Sequence, residues 1–233
     1  TALPQCSMFA ASPLFWRRYD PAAMLFLTAL LAVAAAGQEA GDFLVEESGE
    51  LLEFSYGWPA AVDSEPALRE RLRREMEAER AEATGYAEEG RREAAANGFD
   101  FNLHYYVKVW QLAGLTPQLL SLQASNETYS GGAHGNIGFA ALLWDRSADS
   151  PVEAAAVLGA RTLERMNPRF CEALDAERAE RRGEPVRRDP EDSFTACPPL
   201  AELVLAPSDD DGDGRFDRLA VLIPPYVAGP YAE

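Results

Sequence analysis

Residues 101–110 have the sequence FNLHYYVKVW, in which two sets of side chains alternate. The apolar set is Phe101, Leu103, Tyr105, Val107 and Val109. The mixed set is Asn102, His104, Tyr106, Lys108 and Trp110. Successive side chains of a β-strand point to opposite faces, so a period of two residues indicates a strand. The alternation therefore predicts a half-buried strand, with the apolar set facing the core and His104 on the opposite face.

The segments around this strand predict an α+β fold. Residues 51–56, 119–129 and 137–144 are further strand candidates, and their short connections favour antiparallel pairing. Apolar residues three to four apart indicate a helix over residues 68–87, capped by Asp63 or Ser64, with Pro66 in its first turn. A second helix is expected over residues 168–182, and strands over 200–205 and 216–223. We expect antiparallel sheets with helices packed on one side, in two small intertwined subdomains.

An apolar run at residues 24–36 follows Arg17 and Arg18 and ends in small residues. This pattern is typical of a secretory signal peptide, and the run is shorter than the roughly 20 residues of a membrane-spanning helix. A buried helix is the alternative. We therefore assign residues 1–36 to upstream sequence and signal peptide, and residues 37–49 to an acidic tether. The product is expected to be periplasmic or secreted, without a stable membrane span in the mature chain.

The charge of the chain limits its partners. The 233 residues include 38 acidic and 21 basic side chains, a formal net charge of −17. Binding to duplex nucleic acid needs a basic surface that displaces counterions, which this composition disfavours. An acidic chain attracts basic partners over long range.

The exported part of the chain contains two cysteines, Cys171 and Cys197. An even pair in an oxidising compartment favours a disulfide, although two free buried thiols are an alternative. A bridge that closes about 26 residues would stabilise the fold by about 3 kcal/mol in the chain-entropy model. Two cysteines and two distant histidines lack the ligand spacing of a zinc site.

Residues 129–135, with the sequence YSGGAHG, form the most unusual local motif. Consecutive glycines permit positive φ and close approach of a ligand. We take as candidate ligand-binding residues Tyr129, Gly131, Gly132, His134 and Trp110. A structural loop between two strands explains the same motif. A Ser130/His134 nucleophile pair is a weaker alternative, because no strand-Ser-helix turn is visible, and no catalytic residue is assigned.

Residues 209–214 form an acidic loop that resembles a calcium-binding loop. Asp209, Asp211 and Asp213 occupy ligand positions, but Ala220 stands at the twelfth position, where a bidentate Glu belongs. A glycine-rich turn explains the same residues. The loop therefore predicts weak calcium affinity at most, and no metal or other cofactor is assigned.

Several aromatic residues could form a sugar-stacking platform or simply belong to the core. They are Tyr56, Trp58, Tyr105, Tyr106 and Trp110. Aromatic side chains at strand spacing are more often core residues, so we favour the core.

The order of short motifs along the chain resembles the PdaC/RsiV-like superfamily. The motifs are YGWP at 56–59, VWQ at 109–111, YSGGAHG at 129–135, LWD at 143–145 and IPPYVAGPY at 223–231. The resemblance implies a PdaC-like N-terminal domain at residues 50–147 and an RsiV-like C-terminal domain at 148–233. Members usually continue beyond the position of Glu233, so a truncated last domain is expected.

In this superfamily the tandem occurs in a peptidoglycan deacetylase and in the lysozyme-binding sensor of an anti-sigma factor. The present chain shows neither the metal motif of the deacetylase nor a cytoplasmic segment with a spanning helix. The resemblance therefore implies an exported, non-catalytic binding or sensor domain of the cell envelope. Its expected partner is a basic protein such as lysozyme, or peptidoglycan. The alternatives are an envelope hydrolase that uses His134 and a structural accessory protein.

Overall fold

The computed structural model describes residues 5–7, as backbone only, and residues 42–230. The predicted signal peptide lies outside the described residues. The described chain contains a six-stranded sheet, a three-stranded sheet and several helices, which confirms the α+β fold.

The helices and strands follow one another in a simple order. The strands are β1 (Gln5–Ser7), β2 (Phe43–Ser48), β3 (Leu52–Trp58), β4 (His104–Leu115), β5 (Leu119–Tyr129), β6 (Asn136–Asp145), β7 (Ser150–Val152), β8 (Val204–Ser208) and β9 (Arg218–Leu222). The α-helices are α1 (Pro66–Asn97), α2 (Ala154–Leu158) and α3 (Ala160–Arg182), and short 3-10 helices occupy Ala60–Ser64 and Leu200–Glu202. The strand orders are β2-β3-β4-β5-β6-β7 in the large sheet and β1-β9-β8 in the small sheet.

The large sheet is antiparallel except where β3 pairs with β4 in parallel. Parallel neighbours need a crossover connection, and α1 supplies it. One interpretation from the sequence is corrected here, because the segment expected to be a tether forms β2 over residues 43–48. The boundary at 147/148 stays a prediction, and β7, which begins just after it, pairs with β6 in the large sheet.

Helix α1 begins at Pro66 and ends before Gly98. Proline is favoured at the first helical position because it has no N–H to leave unpaired. The N-cap residue is Glu65, the residue before Pro66, so the prediction that Asp63 or Ser64 caps the helix is wrong. The Glu65 side chain makes no capping hydrogen bond. Gly98 has a φ of 74° and donates its N–H to the Ala94 carbonyl, which closes the helix.

The burial of β4 is the reverse of the sequence prediction. His104, Tyr106, Lys108 and Trp110 are buried beneath α1, whereas Val109 lies on the opposite face and is 37% exposed. The predicted apolar face is therefore the outer face of the sheet. Lys108 can be buried on this face because Glu75 and Glu79 of α1 pair with its ammonium group.

The small sheet packs against one half of this outer face. Ala206 and Ala220 of β8 and β9 form a cluster with Ala113, Phe139 and Ala141 of the large sheet. Helix α3 covers the small sheet with its own apolar residues.

A disulfide links the middle of α3 to the loop that precedes the short helix at Leu200–Glu202. It joins Cys171 to Cys197 with Cα atoms 5.6 Å apart, which confirms the predicted pair.

Candidate functional site

The YSGGAHG motif forms the tight loop between β5 and β6. Tyr129 ends β5 and stacks on Tyr105 of β4, with ring centroids 5.8 Å apart. Gly135 lies directly beneath the Tyr105 hydroxyl, and a Cβ there would also lie 3.0 Å from the Thr128 carbonyl oxygen. Only glycine fits at Gly135 without a shift of its neighbours, so this residue ties the loop to the tyrosine pair.

The two consecutive glycines of the motif differ in their restraints. Gly131 has a φ of 88°, and its carbonyl accepts a hydrogen bond from the Asn102 amide at 3.3 Å. Gly132 does not have a positive φ, and a Cβ there would meet nothing within 4 Å. The backbone requirement therefore rests on Gly131 and Gly135, not on Gly132.

His134 and Ser130 are exposed at the tip of the loop. The His134 Nδ1 lies 2.8 Å from the carbonyl oxygen of the next residue, Gly135. A general base works best where the surrounding protein fixes the reacting groups and excludes water. An imidazole on an exposed loop tip is better placed to contact a partner surface.

His104, in contrast, is buried behind the loop. Its imidazole lies against the Phe101 ring, at 5.2 Å between centroids. A Cβ on Gly90 of α1 would lie 3.0 Å from this imidazole, and a Cβ on Gly131 would lie 3.8 Å from its Nε2. Burial lowers the pKa of His104 because it disfavours the charged imidazolium. The absence of a side chain at Gly90 therefore makes room for His104.

Trp110, the fifth candidate ligand-binding residue, lies on the other face of the sheet from Tyr129. It is buried, and its Nε1 donates a hydrogen bond of 2.9 Å to the Tyr56 hydroxyl. The structure therefore brings Tyr129, Gly131, Gly132 and His134 together and leaves Trp110 apart from them. Four of the five aromatic residues considered for a sugar-stacking platform belong to the core instead, as favoured from the sequence. They are Tyr56, Trp58, Tyr106 and Trp110.

A buried ionic network holds α1 on the inner face of the large sheet. The Lys108 ammonium lies 2.7 Å from a Glu75 carboxylate oxygen and 2.8 Å from one of Glu79. The Tyr56 hydroxyl donates to Glu75 at 2.8 Å, and the Tyr106 hydroxyl donates to Glu79. Burial, followed by the nearby glutamates, raises the pKa of both tyrosines, so both phenols stay protonated and act as donors.

The sequence patterns considered above did not predict this ionic network. Two signals could have revealed it: Lys108 is the only lysine in the chain and lies inside a strand, and Glu75 and Glu79 are four residues apart on one helix face. Buried charges are normally paired. A single charged residue within an alternating strand therefore predicts opposite charges on whichever element covers it.

The acidic loop holds its carboxylates close together. One ligand atom from each of Asp209, Asp211 and Asp213 lies within 4.8 Å of the others. Asp209 already accepts hydrogen bonds from the backbone N–H groups of Gly212 and Gly214, at 2.8 and 2.9 Å. Ala220, at the twelfth position, is buried in β9. The geometry accounts for the loop as a turn, and weak calcium affinity at most remains the prediction.

A patch that we call the open face lies on the outer side of the large sheet, beyond the half covered by β8. It consists of Leu44, Val107 and Val109 with Glu46, Glu53 and Glu127. Strand pairing places these residues on one face, because Leu44 is opposite Gly57, Gly57 is opposite Val109, and Val107 is opposite Glu127. Leu44 is 52% exposed. The Tyr105–Tyr129 pair borders the open face and connects it to the YSGGAHG loop.

Comparisons with known proteins agree with the motif pattern. Residues 45–137 match the family model described as deacetylase PdaC. No curated protein matches the chain.

Two solved structures show distant similarity, and both are DUF3298 family proteins. One, from Bacteroides fragilis, is 14% identical, with a TM-score of 0.38 over 61% of this chain and 68% of that one. The other, from Pseudomonas aeruginosa, is 15% identical, with a TM-score of 0.35 over 65% of this chain and 76% of that one.

Within the part of the chain that the structure describes, none of the helices combines the length and the apolar character needed to cross a membrane.

Proposed function

We propose that the chain is an exported, non-catalytic binding or sensor domain of the cell envelope, because residues 45–137 match the PdaC family model. Its partner is a basic protein such as lysozyme, or peptidoglycan. The observation that carries the proposal is the form of the YSGGAHG loop. The Asn102 amide binds the Gly131 carbonyl, and Gly135 packs against Tyr105, which restrains the loop backbone. The tip of the loop exposes Ser130 and His134 to solvent.

A restrained loop of this kind suits recognition. Binding costs less when the contact surface is ordered before the partner arrives. Aromatic side chains supply rigid contact area, and the Tyr105–Tyr129 pair lies at the base of the loop. The Cys171–Cys197 bridge supports the exported location, because disulfides persist in oxidising compartments.

The alternative is a hydrolase in which His134 acts as general base. It would require a substrate that covers the exposed imidazole and brings the reacting groups together on binding. Removal of a general base lowers turnover by about 10²–10⁴-fold. A binding role predicts no turnover to lose.

The two functions can be separated with the wild type and the variants His134→Ala and Ser130→Ala. Binding to immobilised lysozyme and to purified peptidoglycan is measured beside hydrolysis of peptidoglycan fragments and the melting temperature. We expect the wild type to bind one of the two probes, all three proteins to melt alike, and none to hydrolyse the fragments. Hydrolysis by the wild type that is lost in His134→Ala would establish the hydrolase instead, and a wild type that binds neither probe would contradict the binding function.

A further inference from the structure

The open face carries carboxylates but no basic side chain. Outward-facing positions of β2 to β5 bring together Glu46, Glu53 and Glu127, all exposed. None of the three forms an ion pair with any residue in the described part of the chain. No lysine or arginine occupies an outward-facing position of these four strands. The negative charge of this patch is therefore not neutralised from within the sheet.

The same patch exposes aliphatic side chains between the carboxylates. Leu44 and Val109 are 52% and 37% exposed, on either side of the buried Gly57 in the strand between them. A Cβ on Gly57 would lie 3.0 Å from a methyl carbon of Leu44, so this leucine lies flat across the strand. Contiguous apolar surface rimmed by charges is typical of an interaction site.

A second copy of the chain is a poor occupant of the open face. A symmetric dimer through this face would bring two sets of the same three carboxylates together without a counter-charge.

A cationic protein surface satisfies both features of the patch. Lysine and arginine side chains carry an aliphatic stem and a charged end, so they can cover valine and leucine while their charges reach the carboxylates. We infer that the open face is the docking surface for a basic protein partner, an inference that rests on the proposed function. The adjoining Tyr105–Tyr129 pair and the YSGGAHG loop extend the contact beyond the sheet.

The test compares two charge-reversed variants with the same net charge. Glu46→Arg/Glu127→Arg changes the open face, and Glu77→Arg/Glu89→Arg changes two exposed positions on α1, across the sheet. Affinity for lysozyme is measured by calorimetry at low and physiological salt, with lysine-acetylated lysozyme as the charge-depleted probe. We expect the open-face variant to bind lysozyme about tenfold more weakly than the α1 variant. We also expect acetylated lysozyme to bind the wild type more weakly than lysozyme does.

A milder pair, Glu46→Gln/Glu127→Gln, keeps the experiment valid if charge reversal disturbs folding, and melting temperatures report that directly. Equal losses in the open-face and α1 variants would overturn the docking surface and leave the proposed function intact. A wild type that binds peptidoglycan but not lysozyme would overturn the docking surface alone, and a wild type that binds neither would overturn both. Sedimentation that shows a dimer sensitive to Glu46→Arg/Glu127→Arg would assign the face to a second copy and overturn the inference.

Discussion

Two basic side chains are buried within residues 42–230, Lys108 and Arg178, and the two halves of the molecule satisfy them in different ways. Lys108 in the large sheet has a side chain that is 8% exposed and is paired with two carboxylates from α1. Arg178 on α3 is 3% exposed and donates to the backbone carbonyls of Thr195, Ala196 and Ala228. Asp175 is its carboxylate neighbour, at 3.4 Å.

The difference follows from what each cation connects. Lys108 joins a regular helix to a regular strand, whose backbone groups are already hydrogen-bonded, so only side chains remain to pair with it. Arg178 joins a helix to irregular segments near Cys197 and near Ala228, where carbonyl groups lack strand or helix partners. A compact ammonium suits the first setting, and the five donors of a planar guanidinium suit the second. The first site depends on charge and the second on shape.

The largest effect is expected from removing the charges around Lys108. Glu75→Ala/Glu79→Ala should lower the free energy of unfolding by about 3–5 kcal/mol, because a buried ammonium is left without a counter-charge. Urea unfolding at pH 7 measures the loss. Addition of Lys108→Met to the double variant should restore part of the stability, since the unpaired charge is then removed.

A matched control for this change is Glu77→Ala/Glu89→Ala, which removes two exposed glutamates from the same helix. Its effect should stay within about 0.5 kcal/mol for each substitution. Equal losses in the two double variants would show that the charge pairing of Lys108 does not stabilise the helix–sheet contact.

A smaller loss is expected from Arg178→Lys, which keeps the charge and changes the shape. An ammonium cannot reach all three carbonyls in the positions that the guanidinium occupies, and a buried unpaired acceptor costs about 1–3 kcal/mol. We expect a loss of about 2 kcal/mol in urea unfolding. Arg181→Lys, at an exposed pair with Glu177, serves as the control and should change stability by less than about 0.5 kcal/mol. A wild-type stability in Arg178→Lys would mean that charge alone suffices at this site.

The sequence predicted the elements of the fold better than the faces of the sheet. The pattern of residues 119–129 predicted β5 with its observed bounds, and Gly183 marked the end of α3 with a left-handed φ of 74°. Such features depend on local chemistry, which a single segment carries. The buried face of β4 depends instead on Glu75 and Glu79, about thirty residues away, so alternation within the strand alone predicted the wrong face.

The candidate site, too, could be predicted only where its residues are close together in the sequence. Tyr129, Gly131, Gly132 and His134 are neighbours along the chain, and the structure keeps them together in one loop. Trp110 belonged to the set of β4 side chains expected to face away from the core, and the structure instead buries it in the core. The open face could not be predicted, because it joins β2, β3, β4 and β5 in a register that includes one parallel pair.

The smallest effect, a dependence of stability on pH, tests the contrast between neutral and charged groups on the inner face of the large sheet. Lys108 and His104 lie on the same side of β4, but the imidazole packs against the Phe101 ring, and Gly90 and Gly131 leave the space beside it. Burial lowers the pKa of His104 below the ordinary histidine value of about 6.5. Below about pH 6.5 the unfolded chain therefore takes up a proton that the folded chain excludes, and the free energy of unfolding falls. The contribution of His104 is complete above pH 6.5 and is lost as pH falls towards the pKa of the folded state.

We expect the wild type to lose more stability than His104→Gln between pH 7.5 and 5.5, measured by urea unfolding at each pH. Other groups that titrate in this range act on both proteins, so the difference between the two isolates His104. His134→Gln is the matched control, because it removes the other imidazole and leaves His104 in place, and it should keep the decline that His104 causes. A parallel decline in the wild type and His104→Gln would show that the imidazole accepts a proton without cost. In that case a carboxylate would have to approach the imidazole and stabilise its charged form.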